Sequence, residues 1–470
     1  MKIVLMIAIA GTDINFLLSM PTLKAYLNQF EDVKKEYEFI ILDYKYSIKI
    51  DKIIEDIKSI KFDILALSCY IWNKERIEIL MHSKLCDNII IGGPDIPKDV
   101  SPKDNTYKIT PVYGAGEHDF YKFLMNKEPP LQRFDEYPSP YLTNSINYNT
   151  IHDTSLYMTM ETSKGCTNKC TYCSYNKISD KIIYRNPDTV IKEIAYIYSI
   201  LGYKGPNIVD SNFFVNEKRA IYILEQLLEK KLIMRICMGI IIHFLTPKII
   251  DICKKYQDAG GELLFGIGIQ STNNTVLREV KRPLINESLF LKQLGSLLDT
   301  GVMVGLDLII ALPKDTKKNY YDSVEFLCKL MRYERAYPNC NILHIIPGTT
   351  IHERLKEYNY KLDEFDRVIS SPTISHKEII DCMLISLVVR RLFDPNDIDN
   401  YRKQVRQMFF QKKDELNITA IELIEKILFY IKRDLFDENF GQDFKDQRMH
   451  QIDMRKQIPY EWLLKTMEKM

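Results

Sequence analysis

The chain carries almost no net charge. Its 64 Lys and Arg face 63 Asp and Glu, leaving +1 at pH 7, which removes the electrostatic case for binding nucleic acid or an anionic membrane. No apolar run approaches the ~20 residues of a membrane span. The apolar stretch 3–10 lacks the flanks of a secretory leader: one Lys precedes it, Asp13 follows soon after, and no small-residue cleavage pattern is clear. It reads as a buried first strand. Paired cysteine spacing is also missing. Ten cysteines without regular pairing exclude a disulfide scaffold and point to a reducing, cytoplasmic setting. What remains is ordinary for a globular chain of two or three domains: 470 residues, 46% hydrophobic and 27% charged.

The informative stretch is Cys166-Thr-Asn-Lys-Cys170-Thr-Tyr-Cys173. A closed structural zinc site wants four protein ligands, and no fourth Cys or His lies near; the next are Cys237 and His243. A cubane [4Fe–4S] cluster is normally held by four thiolates. Three thiolates leave one iron open to a non-protein ligand, which is what a reactive centre needs. The preceding residues 158–165 read as a strand running into a glycine-opened turn, and the carboxyl ends of strands are where an α/β barrel keeps its chemistry.

Around this loop the chain alternates strand and helix patterns. Residues 1–130 give strands at 2–10, 39–44, 62–69, 88–92 and 107–113, with helical spacing at 18–30, 50–60, 75–80 and 118–125. This predicts a doubly wound, Rossmann-like parallel sheet. Residues 131–150 are a linker. Residues 151–371 give six strand–helix repeats, a partial (β/α)6 barrel. Residues 372–470 read as helices at 379–392, 401–413, 420–434 and 461–470, a helical C-terminal region.

The C-x3-C-x-aromatic-C loop, with Tyr172 in the aromatic slot, resembles that of the radical SAM enzymes. The resemblance implies that Cys166, Cys170 and Cys173 hold a [4Fe–4S] cluster whose open iron chelates S-adenosylmethionine (SAM). One electron then cleaves the sulfonium and yields a 5′-deoxyadenosyl radical. It further implies SAM contacts from Tyr172 near the adenine, from Asp210 and Ser211 after the second barrel strand, and from Gln270 and Ser271 after the fourth. Arg282 is implied as a partner of the SAM carboxylate. Asp and Ser are also favoured helix caps, so Asp210 and Ser211 have a plain structural reading as well.

Three turns of the N-terminal region resemble those of the cobalamin-binding branch of these enzymes: Ser68, Tyr70 and Trp72 after the third strand, Gly92-Gly93 after the fourth, and Gly114-Ala-Gly116-Glu117 after the fifth. The Asp-x-His-x-x-Gly motif, whose His replaces the lower axial base of cobalamin, is absent. The implied function is methylation of an unactivated carbon in a natural-product or peptide substrate, with cobalamin as methyl donor and a flavodoxin or ferredoxin as reductant. Two alternatives stay open. A cobalamin-independent radical SAM enzyme would epimerise, rearrange or crosslink a peptide, with Cys237 or Cys340 returning a hydrogen atom and His344 carrying a proton. A non-enzymatic scaffold would use the thiols for a structural metal.

Overall fold

The computed structural model describes residues 1–11, 15–97, 99–102, 106–114, 116–146, 157–175, 181–394, 401–435 and 458–470. They gather into two compact units. One comprises Met1–Gly239, Lys255–Leu263 and Ile346–His352; the other comprises Ile240–Lys254, Leu264–Ile345 and Glu353–Met470.

The first unit opens with β1 (Lys2–Ile9), β2 (Asn15–Phe16), β3 (Tyr37–Tyr44), β4 (Ile64–Ser68), β5 (Asn88–Gly92) and β6 (Lys108–Val112). Five of them form a parallel sheet in the order β3-β1-β4-β5-β6. With β2 set aside, the strands run second–first–third–fourth–fifth, the flavodoxin-like doubly wound order with its switch point between β1 and β4. The near-continuous apolar runs of these strands reflect burial on both faces. Leu5, Ile7 and Ile9 pack with Ile53, Ile57, Ile77 and Leu80 from helices Ile50–Lys58 and Lys74–Met81. Val4, Met6 and Ala8 pack with Met20, Tyr26, Leu27 and Phe120 from helices Ser19–Leu27 and Gly116–Met125. Each fully buried aliphatic side chain contributes about 1.5–3 kcal/mol. One expectation changes here. The helix predicted over 18–30 ends at Leu27, and a second follows at Glu31–Glu36. Phe30 leaves helical backbone (φ −94°, ψ 123°) and packs its ring on Tyr26 and Tyr121.

After a 3₁₀ turn at Phe134–Glu136, the first unit continues with β7 (Tyr157–Met160), β8 (Ser163–Lys164), β9 (Ile183–Tyr184), β10 (Lys204–Ile208) and β11 (Arg235–Ile240). β7, β10 and β11 pair in parallel. β8 and β9 form a short antiparallel ladder, Ser163 opposite Tyr184 and Lys164 opposite Ile183. This ladder closes the base of the segment that carries the three cysteines. In the second unit, β12 (Glu262–Gln270, from Leu264 onward), β13 (Met303–Ile310) and β14 (Ala336–Ile342) pair in parallel. β7 and β10 to β14 each lead into a helix, beginning at Pro187, Glu217, Pro247, Asn274, Lys317 and Thr350. These are the six repeats of the expected partial barrel.

Strand alternation separates a covered face from a more open one. Val304, Leu306, Leu308 and Ile310 of β13 are buried, as are Ala336 and Cys340 of β14; Asp307, Ile309, Tyr337, Asn339 and Asn341 are more open. The second unit ends with a small antiparallel pair, β15 (Lys361–Leu362) and β16 (Val368–Ser370). Helices His376–Leu392, Tyr401–Glu415, Ala420–Asp434 and Tyr460–Lys469 follow, the helical region expected. Two begin with reciprocal caps, Ser375 with Glu378 and Thr419 with Glu422; such boxes satisfy otherwise orphaned backbone donors. Among the described residues no helix is long and apolar enough to cross a membrane.

Candidate cofactor site

β7 delivers the chain into the cysteine loop. Gly165 takes φ +91°, a left-handed turn that a side chain would strain, and Cys166 follows. Cys170 is buried while Cys166 and Cys173 are half-buried, and none of the ten cysteines is in a disulfide. The Cys173 amide donates to the Cys170 carbonyl at 3.2 Å, and the Asn168 amide donates to the Cys166 sulfur at 3.4 Å. Among the described residues no three Cys, His, Asp or Glu side chains converge as a single metal ion would require. Three thiols with no fourth Cys or His in the loop are the donor set for a cluster with one open iron rather than for a closed four-ligand zinc site. Tyr172 is half-buried in the same loop.

The loop is tied along its length. Asp210, just beyond β10, accepts from the Thr162 amide (2.7 Å) and hydroxyl (2.5 Å) and from the Ser163 amide (3.0 Å) and hydroxyl (2.8 Å). The Ser211 hydroxyl donates to the Gly165 carbonyl at 2.7 Å. The Tyr175 hydroxyl donates to the Val209 carbonyl at 2.6 Å, and the Ile351 amide to the Thr171 carbonyl at 2.9 Å. Burial pushes the Asp210 carboxyl up, against the pull of its four donors. Both of its oxygens are thus engaged by the chain itself, and so is the Ser211 hydroxyl. The bonds these two side chains make run to the segment that leads into the cysteines.

Two charged residues of the stretch before the cysteines were not singled out by sequence reasoning. Lys164 Nζ pairs with Glu117 at 2.6 Å and lies 3.7 Å from Glu161; it also sits 4.9 Å from the centre of the Phe134 ring. Burial opposes the Glu117 charge, but Lys164 outweighs it and holds the carboxyl below its ordinary range. Glu161 is different. Burial raises it to about 7; Lys164 pulls it down, and Glu117 and Asp210 push it up. The only sequence signal for both was their place next to the cysteines.

At the switch point of the first sheet, the expected cobalamin residues divide. Tyr70 and Trp72 stack face to face, centroids 4.6 Å apart and planes 6° from parallel. The Trp72 indole donates to the Ile9 carbonyl at 3.3 Å. A Cβ on Gly11 would lie 2.9 Å from the Trp72 ring, so the glycine admits the indole. Asn73, fully buried, orders this turn by donating to the carbonyls of Ile9 and Ser68. Ile71, Trp72 and Tyr113 are exposed at the carboxyl edges of these strands. These three side chains make an exposed apolar edge beside the Tyr70–Trp72 stack. The other residues serve the fold. Ser68 hydrogen-bonds Ser19 at 3.1 Å. Gly93 (φ +112°) has room for no Cβ, which would lie 2.1 Å from the Cys69 carbonyl; its closeness is to backbone, not to an open face. Gly92 has ordinary space, Gly114 takes φ +92° in its turn, Gly116 starts a helix, and Glu117 is taken by Lys164. Ala115 lies outside the described residues.

In the second unit, Gln270 ends β12 with φ +69°, a strained conformation for a residue with a side chain. Its buried Oε1 has no hydrogen-bond partner. Its amide nitrogen lies 2.2 Å from where a Gly268 Cβ would stand, and Arg282 Nη2 lies 2.7 Å from the same point. Arg282 donates to the Gly268 carbonyl. Ser271 is buried and accepts from the Asn273 amide at 3.1 Å. Ala311, after β13, also has positive φ (+66°); it adopts the backbone for which glycine is the usual choice. Asp307 accepts from Asn339 at 2.9 Å, and burial raises it to about 6. His344 is half-buried and bridges Arg367 through backbone. Cys237 stands on the more open face of β11, its thiol raised to about 11 by burial. Cys340 does not suit a hydrogen donor to a substrate on the open face. It is 2% exposed on the covered face of β14, where burial raises its thiol and Tyr320 and Ser386 hydrogen-bond it.

Residues 160–327 match the Radical SAM superfamily. The matched stretch runs from the end of β7 to within the helix that follows β13. Such a match implies a [4Fe–4S] cluster and SAM, and the cysteine loop lies inside the matched stretch. The chain is 23% identical over 388 residues to the cobalamin-dependent radical SAM methyltransferase TokK of Streptomyces tokunonensis, covering 72% of this chain and 55% of that one. It is 22% identical to 2-(S-pantetheinyl)-carbapenam-3-carboxylate methyltransferase of Streptantibioticus cattleyicolor, covering 68% and 55%. The chain thus spans about half the length of these curated relatives. Its fold is similar to the cobalamin-dependent SAM radical enzyme OxsB bound to aqua-cobalamin and SAM: TM-score 0.62, 16% identity, 99% of this chain and 78% of that one. The methyltransferase TsrM of Kitasatospora setae follows with TM-score 0.56, 12% identity and 77% of each chain. The α/β fold of this chain is therefore similar to that of these solved enzymes.

Proposed function

We propose that this chain is a cobalamin-dependent radical SAM methyltransferase acting on an unactivated carbon of a small natural product or a peptide. The carrying observation is the cysteine loop: three thiols without disulfides, in the stretch that matches the Radical SAM superfamily, on a loop hydrogen-bonded before, within and after the triplet. When bound, the cluster and SAM supply a 5′-deoxyadenosyl radical and cobalamin supplies the methyl group. Cys166, Cys170 and Cys173 hold the cluster as thiolates, the form that binds metal. Tyr172 packs near the adenine. Gln270 offers its unpartnered oxygen, and Arg282 its charge, to SAM's polar groups. The Tyr70–Trp72 stack offers a face for the corrin. An electron-carrier protein such as a flavodoxin or ferredoxin reduces the cluster.

The test is anaerobic reconstitution of the full chain with iron, sulfide and hydroxocobalamin. Co-elution of corrin with protein, together with 5′-deoxyadenosine and demethylated SAM under reductant, is the expected result. Cluster and 5′-deoxyadenosine without retained corrin would overturn the cobalamin part. One observation favours a cobalamin-free reading, the position of Cys237 on the open face of β11. In that case Cys237→Ala abolishes turnover while SAM cleavage persists.

A further inference from the structure

Two residues expected at a cofactor spend their side chains on the loop that precedes it. Val209, Asp210 and Ser211 are consecutive, immediately beyond β10. Asp210 holds Thr162 and Ser163 by four hydrogen bonds, Ser211 holds the Gly165 carbonyl, and the Val209 carbonyl receives the Tyr175 hydroxyl. These contacts fall before and after the cysteine triplet. Arg219, from helix Glu217–Glu229, adds a bond from Nη2 to the Thr162 carbonyl at 3.0 Å. A second strap comes from the ladder of β8 with β9.

We propose that Val209–Ser211 is a clamp fixing the entry and exit of the cysteine loop, and that Asp210 and Ser211 are positioning residues for the cluster rather than SAM ligands. The physical reason is the entropy of the loop. A loop whose ends and base are pinned has few conformations to lose when three thiolates must meet fixed irons, so metal binding costs little ordering. Asp210 suits the task because a carboxylate accepts in several directions at once. One of its oxygens binds the two amides and the other the two hydroxyls, a set of four that is lost when the carboxylate is removed. Ser211 complements it as a donor to the backbone carbonyl next to Cys166. The proposal about the loop stands on these bonds alone; its consequence for the cluster rests on the reading that the three thiols bind iron.

Two measurements separate those levels. Hydrogen–deuterium exchange on the metal-free full chain, wild type against Asp210→Ala and Ser211→Ala, reads the clamp without any cluster. Exchange in 162–175 rises about tenfold or more in Asp210→Ala and less in Ser211→Ala; unchanged exchange in both overturns the clamp. On reconstituted protein, electron paramagnetic resonance of the reduced cluster and SAM binding are then compared. The clamp predicts an altered spectrum and iron lost to a chelator about tenfold faster, with SAM affinity of the loaded fraction within about threefold of wild type. A wild-type spectrum and iron retention, with SAM affinity reduced about tenfold or more, would make the pair SAM ligands and overturn the positioning role. If Asp210→Ala fails to fold, Ser211→Ala, which removes one hydroxyl, decides both points. A wild-type chain that takes up no iron would refute the cluster reading and leave the exchange result to judge the clamp.

Discussion

Two strand ends in this molecule carry polar residues of the same apparent promise and differ in one respect. After β10, both carboxylate oxygens of Asp210 accept from the chain and the Ser211 hydroxyl donates to it. After β12, Gln270 keeps a buried carbonyl oxygen without a hydrogen-bond partner and sits at φ +69°. Buried polar groups in folded proteins are nearly always bonded, and backbone strain gathers at functional sites. The second end is thus built as though waiting for a ligand, the first as scaffold. Residue type and position could not have separated them; the hydrogen-bond ledger does.

Substitutions should break this symmetry in order of size. Asp210→Ala leaves four donors without their acceptor and should destabilise the chain by roughly 3–5 kcal/mol, measured by denaturant melts of the metal-free protein. A loss below about 1 kcal/mol would mean the carboxylate is not the organiser it appears to be from its bonds. Lys164→Met should cost about 3 kcal/mol in the same melts, because Glu117 is left charged and buried. Restoring neutrality with Glu117→Gln in the same chain should recover most of it.

A pH effect comes next. The Glu161 carboxyl is raised from 4.5 to about 7, so the folded state holds a proton that the unfolded chain releases. Its stabilising contribution is full below about pH 4.5 and is lost as pH rises through 7. Glu161→Gln should remove a slope on the order of 2 kcal/mol across that window, seen as the difference between the two stability–pH curves. Parallel curves would show that Glu161 does not titrate as its burial requires. The smallest stability change is expected at β12. Gln270→Gly relieves the positive φ but adds unfolded-state freedom, so stability should stay within about 1 kcal/mol. Its SAM affinity should nevertheless fall about tenfold by equilibrium dialysis. A large stability loss with unchanged SAM binding would place Gln270 with the scaffold.

Much of the fold was legible. The apolar run 2–10 is a strand that ends one residue earlier, at Ile9, and the strand expected at 88–92 is found with the same bounds. The break at Phe30 was not legible, because it depends on ring packing with Tyr26 and Tyr121 rather than on local propensity. The two-residue strands β8 and β9 were also missed; they exist because they close the cysteine loop. The cysteine loop itself could be read from spacing. The roles of Asp210, Ser211 and Glu117 could not, since each is decided by a partner 45 or more residues away: Asp210 lies 48 from Thr162, Ser211 46 from Gly165 and Glu117 47 from Lys164. For Cys340, which face of β14 it occupies is set by register with β13, and spacing along the chain does not carry that.

The most direct measurement is iron and sulfide per chain in anaerobically reconstituted protein, with the paramagnetic resonance of the reduced cluster recorded before and after SAM is added. The account predicts about four of each, a spectrum that shifts with SAM, and loss of both in Cys166→Ala/Cys170→Ala/Cys173→Ala. One bound zinc and no sulfide, or a cluster whose spectrum ignores SAM, would contradict it.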